Sequence, residues 1–296
     1  MIITNKQNLP QALVNAVSSD RHNRKGCLSA TTILKGTKEV LLSQRHWEEM
    51  SDDASNRIFA LFGTAVHSVF ESKDDKDGVI RETEFTTPVG KYTLTGRIDR
   101  YDPETKTLSD YKVTSVYKIL NGNVEDWYKQ LMIYSYLMQL HGIEVKHCVI
   151  HAVLRDWSRA DYRRKASSGY PETQVTTYSF DPKEEDFDFI KKFIEERISD
   201  ISKNEEVEDD LIPDCSEHER WAKPDKYAVI KEGATKATKL LDTKEEAESY
   251  LLTLKDKKDF EKYKIEFRKG ESGKCENYCS CCQFCSFYKK NCSESK

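Results

Sequence analysis

Three short runs of strand-forming sequence lie close together between residues 79 and 113: "VIRETEFTT", "KYTLTGRIDRY" and "TLSDYKV". "PVG" separates the first two and "DPETK" the last two. Both are turn sequences: proline presets φ, glycine accepts positive φ, and aspartate bonds its own backbone. The runs therefore pair as an antiparallel meander. A helix is expected before them in "SDDASNRIFALFGTAVHSVFESK", where Ile58, Leu61, Phe62, Ala65, Val66 and Val69 recur at helical spacing. On that helix His67 and Glu71, four apart, share a face. A longer helix follows the meander, roughly from Val124 to Leu140, and then an apolar strand, "HCVIHAVL". Helix, meander, helix and strand make an α/β domain with a mixed central sheet flanked by helices.

The flanking segments are simpler. "LSATTILKG" reads as a capped helix start, with Ser29 or Thr31 as the cap. "DPKEEDFDFIKKFIEERISDISKNEE" is an amphipathic helix with Phe187, Ile190, Phe193 and Ile194 on one side. Residues 216–270 form a small α+β unit: a hairpin from "KYAVIKEG" and "ATKATKLLD", a helix opened by a capping box of Thr243 and Glu246, and the strand "YKIEFRKG". The expected organisation is a core over 1–214, an insertion over 215–270, and a cysteine-rich segment over 271–296 that packs back on the core.

Composition narrows the class. Of the 296 residues 38% are hydrophobic and 33% charged, which suits a soluble globular chain. The formal net charge of −4 means that any nucleic-acid binding must use a local basic patch. No apolar run approaches membrane-span length. "MIITNKQNLPQ" lacks the pattern of a secretory signal, so a cytoplasmic location is expected.

In "GRIDRYDPETKTLSDYK" a turn over 103–106 places Asp99 directly opposite Asp110. Opposed side chains have Cβ atoms about 5 Å apart, close enough for two carboxylates to share a divalent cation. Lys112 is on the same face as Asp110. A surface Asp–Lys pair on an edge strand is the plainer alternative, as a His67–Glu71 surface pair is for the histidine.

The context favours the cation. "GRID", then "DYK", then "QLMIY" on the next helix, preceded by "GTAVHSVFE", resembles the RecB-like branch of the PD-(D/E)XK nucleases, motif by motif and in order. "DYKVTSVYK" through "LRDW" and "YP", and "CSEHERWAKPDKYAVIKEG", resemble prophage-encoded exonucleases of that branch. The resemblance implies a restriction-endonuclease-like core and a Mg²⁺- or Mn²⁺-dependent deoxyribonuclease acting in phage or prophage DNA recombination, repair or processing, in the host cytosol if phage-encoded. It implies that His67, Asp99, Asp110 and the Val113 carbonyl hold the metal and that Lys112 positions the attacking water. Gln130 and Tyr134 would meet the DNA backbone or brace Lys112. Exonuclease is expected over endonuclease. A non-catalytic nucleic-acid-binding protein on the same fold is the alternative.

Six of the nine cysteines fall between Cys275 and Cys292, which in a reducing compartment points to metal or iron–sulfur binding. Cys215, Cys275, Cys279 and Cys285 resemble the four-cysteine staple of helicase-nuclease subunits, which implies a 4Fe–4S cluster. Cys279, Cys282, Cys285 and Cys292 form a denser set that suits zinc. Cys148 lies in an apolar strand and is expected in the core. "LRDWSRADYRRKASSGYP" interleaves Arg155, Arg159, Arg163, Arg164 and Lys165 with Trp157 and other aromatics, a combination suited to single-stranded nucleic acid. The basic stretch 20–26 is a weaker second candidate.

Overall fold

The computed structural model describes residues 1–18, 24, 26–73, 76–254 and 260–292. Most of the basic stretch 20–26 lies outside them. The chain divides into two compact units, Met1–Val207 and Glu208–Lys296.

The first unit runs β1 (Ile2–Thr4), α1 (Gln11–Val17), β2 (Cys27–Ser29), α2 (Ala30–Ile33), α3 (Thr37–Arg45), β3 (Ser51–Asp53), α4 (Ile58–Lys73), β4 (Ile80–Arg81), β5 (Glu84–Val89), β6 (Tyr92–Arg97), β7 (Arg100–Asp102), β8 (Thr107–Thr114), α5 (Val116–Leu120), α6 (Glu125–Leu140), β9 (His147–Leu154), α7 (Arg159–Lys165), β10 (Val175–Phe180) and α8 (Glu184–Asn204). Among the described residues its strands form a five-stranded sheet, β10-β9-β8-β7-β4, a three-stranded sheet, β2-β6-β5, and a parallel pair, β1 with β3. In the large sheet β8 and β9 are parallel and the other neighbours antiparallel, so the fold is α/β with a mixed sheet flanked by helices.

The meander differs from expectation in one respect. The first two runs are not single strands: each breaks once, at Glu82–Thr83 and at Ile98–Asp99, and passes there from one sheet to the other. The register is unbroken across the gap. Glu84 pairs with Arg97 on one side and Arg81 with Arg100 on the other. Between them the Glu82 N–H donates to the Asp99 carbonyl at 3.1 Å and the Ile98 N–H to the Thr83 carbonyl at 3.0 Å. Glu82 takes φ +42°, a left-handed conformation rare for a side chain of this kind, and this bends the ribbon between the two sheets.

Helix α6 carries the core. Glu125 and Asp126 in its first turn favour the positive end of the dipole, and Gly142 just beyond it takes φ +77°. It packs on α8 and on strands of both sheets, which is why Leu131, Met132, Ile133, Leu137 and Met138 are all fully buried. On α8 the buried stripe is Ile190, Ile194, Ile198 and Ile201, with Phe187 and Phe193 half-buried beside it. Ser29 caps α2, its Oγ accepting from the Thr32 N–H at 3.1 Å. Cys148 is fully buried.

Helix α4 departs from the single apolar face that its spacing suggests. Ile58 and Leu61 pack against Val14, Val17 and Ala54, whereas Phe59, Phe62 and Val69 are exposed. Residues 51–57, expected to begin this helix, form β3 and a 3₁₀ turn instead, because β3 is recruited as a partner by β1.

In the second unit α9 (Glu217–Arg220) is followed by β11 (Lys226–Lys231), β12 (Lys239–Leu241), α10 (Lys244–Leu252), β13 (Tyr263–Arg268), α11 (Gly273–Asn277) and α12 (Ser286–Asn291). The strands form the antiparallel sheet β12-β11-β13, with α10 packed against it so that its Ala247 clusters with Val229 and Leu254. The capping box of Thr243 and Glu246 is present. No helix of the described residues is long and apolar enough to cross a membrane.

Candidate active site

The two hairpins set three carboxylates abreast. β7 and β8 pair Arg100 with Ser109 and Asp102 with Thr107, leaving Pro103–Lys106 as the turn. One more step of that register brings Asp99 opposite Asp110. The register of β4–β5 with β6–β7 brings Glu82 opposite Asp99 on its other side. Asp99 is therefore flanked on both edges by acids, at the point where the ribbon leaves one sheet for the other.

His67 on α4 closes the group. Its Nδ1 lies 3.4 Å from an Asp99 oxygen and 3.9 Å from a Glu82 oxygen. Its carboxylate partners among the described residues are these two, not Glu71. Tyr111 packs edge-on to both His67 and Phe70, and its ring stacks on His151 of β9. The Tyr111 N–H donates to the other Asp99 oxygen at 2.7 Å, which aims that carboxylate at the histidine.

On the face of β8 away from the Tyr111 ring, Asp110 is 2% exposed and its Oδ2 lies 2.7 Å from the Lys112 ammonium. Lys112 donates to Gln130 Oε1 at 2.9 Å, and Gln130 Nε2 donates to the Tyr134 hydroxyl at 2.7 Å. Gln130 Nε2 is also 3.5 Å from Asp110 Oδ1, long for a hydrogen bond. Gln130 and Tyr134 are one turn apart on α6 and both buried, so they brace Lys112 from behind. Gly96 lets α6 come this close: a Cβ there would sit 2.7 Å from Leu137 Cδ1 and 2.8 Å from Tyr134 Cδ1. Val113 follows Lys112 on β8, paired with Val153 of β9.

The charges are poised. Burial raises the Asp110 carboxyl to about 6, with Asp99 adding to the effect and Lys112 opposing it. Burial and then Asp99 raise Glu82. The hydrogen bond to Asp99 raises His67. Like charges this close disfavour full ionisation unless a cation joins them. The donor set fits one: atoms of His67, Glu82 and Asp99 lie within 4.8 Å of one another. Asp110 Oδ2 is buried with no hydrogen bond, only the neighbouring ammonium. Carboxylate oxygens with one imidazole suit Mg²⁺ or Mn²⁺, the nitrogen favouring the latter.

Glu82 lies in the first hairpin, outside the motifs that point to the site. Its signal in the sequence is the tight turn pairing Val89 with Tyr92, which carries the register back to Glu82 and Asp99.

In the second unit Cys215, Cys279, Cys285 and Cys292 all bear on Cys275, whose thiol is pushed up to about 12, first by burial and then by these sulfurs. The Cys279 and Cys281 sulfurs are 3.6 Å apart. A cationic centre among them would relieve the penalty on thiolate formation, so the residues fit a thiolate-bound group.

The basic segment after β9 is mostly surface. Arg155, Arg159, Arg163, Arg164 and Lys165 are exposed. Arg164 and Lys165 both reach Asp161. Trp157 is half-buried, its indole N–H donating to the Pro171 carbonyl at 2.9 Å.

Neither a protein-family model nor a curated protein matches the chain. Among solved structures the chain is similar to SSO0001, at 16% identity and TM-score 0.45, covering 64% of this chain and 84% of that one. It is also similar to a phage-related exonuclease from Haemophilus somnus 129PT, at 15% identity and TM-score 0.34, covering 59% of this chain and 96% of that one. Both likenesses are too remote to bear on the site.

Proposed function

We propose that this protein is a metal-dependent deoxyribonuclease. The observation that carries the reading is the cluster of His67, Glu82 and Asp99, with Asp110 and a braced Lys112 beside it on β8. His67, Glu82, Asp99 and Asp110, with the Val113 carbonyl, would hold Mg²⁺ or Mn²⁺. When bound, such an ion polarises a phosphoryl oxygen and lowers the pKa of a water.

The chain's own groups supply the rest. Lys112 orients the attacking water: Gln130, itself held by Tyr134, and Asp110 hold its ammonium in place. Water attacks phosphorus, the bond to the leaving sugar oxygen breaks, and the proton lost by the water is matched by one returned to that oxygen. Tyr111 and His151 wall the site against lateral movement of His67. Arg155, Trp157, Arg159, Arg163, Arg164 and Lys165 line the path for the strand, with phosphates drawn to the cations.

By resemblance the activity is exonucleolytic, and its setting is phage or prophage DNA recombination, repair or processing. Cys215, Cys275, Cys279 and Cys285 would hold a 4Fe–4S cluster that staples the second unit, with zinc as the competing occupant.

The test is hydrolysis of end-labelled linear and covalently closed circular DNA with Mn²⁺, by wild type and by Asp110→Ala. Metal-dependent release of nucleotides from linear ends by wild type alone supports the reading. Equal activity in both proteins, or none in either, ends it, and ready cutting of circles removes the exonuclease assignment.

A further inference from the structure

The outward stripe of α4 is unexplained by helix packing. Phe59 is 59% exposed, Phe62 47% and Val69 55%, on the helix that also carries His67. The two rings meet edge to face at 6.3 Å. The Arg155 guanidinium lies 4.2 Å from the Phe59 ring centre. Arg155 is itself anchored beside the site, because its N–H donates to the carbonyl of Thr114, two residues after Lys112.

We propose that Phe59 and Phe62, with Arg155, form a stacking platform that delivers single-stranded DNA to the His67 end of the site, an inference that rests on the nuclease reading for what happens to the strand there. The charge around the rings selects a polyanion. Arg155, Arg159 and Arg163 are exposed and form no ion pair among the described residues. The nearby acid Asp156 is engaged by Ser115 and the Val116 N–H and feels the charge of Arg155, and Asp161 is engaged by Arg164 and Lys165. The Phe62 ring and the face of Phe59 away from Arg155 select unpaired bases, since a duplex keeps its bases stacked on each other. Phe62 and Phe59 stand about 7 and 12 Å along the helix from His67 and, at about 100° per residue, about 140° and 80° round its axis, so the strand passes around α4 from the rings to the site. Trp157, tied to Pro171, offers less open surface than either ring.

The test measures anisotropy of a labelled oligo-dT of about twelve nucleotides on the full chain, in Ca²⁺ without turnover. Phe59→Ala with Phe62→Ala should weaken binding roughly tenfold to a hundredfold, while Phe59→Trp with Phe62→Trp holds wild-type affinity. The fluorescence of Phe59→Trp should be quenched as the oligonucleotide binds. Unchanged affinity in the alanine pair overturns the proposal, as does an equal loss for blunt duplex. So does a wild-type dimer that the alanine pair splits into monomers, which would make a second copy the occupant. Binding is read without hydrolysis, so the two ideas fail separately. Ring-dependent binding without nuclease activity sinks only the nuclease reading, and nuclease activity with ring-independent binding sinks only the platform.

Discussion

At the scale of single residues, Asp110 has the most to reveal. Its carboxyl is raised to about 6, so the native state holds its proton more tightly than the unfolded chain does. Ionisation therefore costs stability as pH rises from about 4 through 6, by up to about 3 kcal/mol above that window. Asp110→Asn should gain about 1 to 3 kcal/mol over wild type in urea unfolding at pH 8 without added metal, and the gain should vanish near pH 4. The same variant should lose at least about a hundredfold in nuclease rate. A variant that is less stable at pH 8 would show that the Lys112 pair outweighs burial. Glu82→Gln keeps the shape of the side chain and removes one anionic ligand. It should weaken Mn²⁺ binding roughly tenfold to a hundredfold by calorimetry, and an unchanged affinity would remove Glu82 from the site. His67, raised by Asp99, is protonated below its shifted pKa, so Mn²⁺ binding should tighten as pH rises through that range.

At the scale of elements, the decisive contact is α6 against β6. Gly96→Ala places a methyl into Tyr134 and Leu137, and either the helix or the strand must yield. A loss of about 1 to 3 kcal/mol in thermal or urea unfolding is expected. Nuclease activity should fall too, because Tyr134 supports Gln130 and Gln130 holds Lys112. A fully active and stable Gly96→Ala would mean that α6 has slack. Much at this scale was legible in the sequence. The turn over 103–106, the opposition of Asp99 to Asp110, the extent of β9 and the Thr243–Glu246 capping box all follow from local chemistry. The split of the first two runs was not legible, because a bend between sheets leaves no mark in alternation. Nor was the exposure of Phe59 and Phe62: helical spacing places residues on a face but does not say what covers it.

At the scale of the whole molecule, the cysteines pose the open test. Protein purified without oxygen should be brown and carry about four irons per chain, and Cys275→Ala should lose both and unfold Glu208–Lys296 at lower temperature. Stoichiometric zinc and a colourless protein would assign the group to zinc instead. By itself the sequence set the register of the second hairpin, since a tight turn and a two-residue period leave one pairing open to Asp99, Asp110 and Lys112. Tertiary structure alone decided that Glu82 joins Asp99 from the other side; that His67 turns to Asp99 and that Gln130 reaches Lys112 was expected only through the resemblance, and the packing of α4 and α6 is what brings them there. Those contacts join segments far apart in the chain. They depend on how two sheets and a helix close on one another, and no local propensity encodes that.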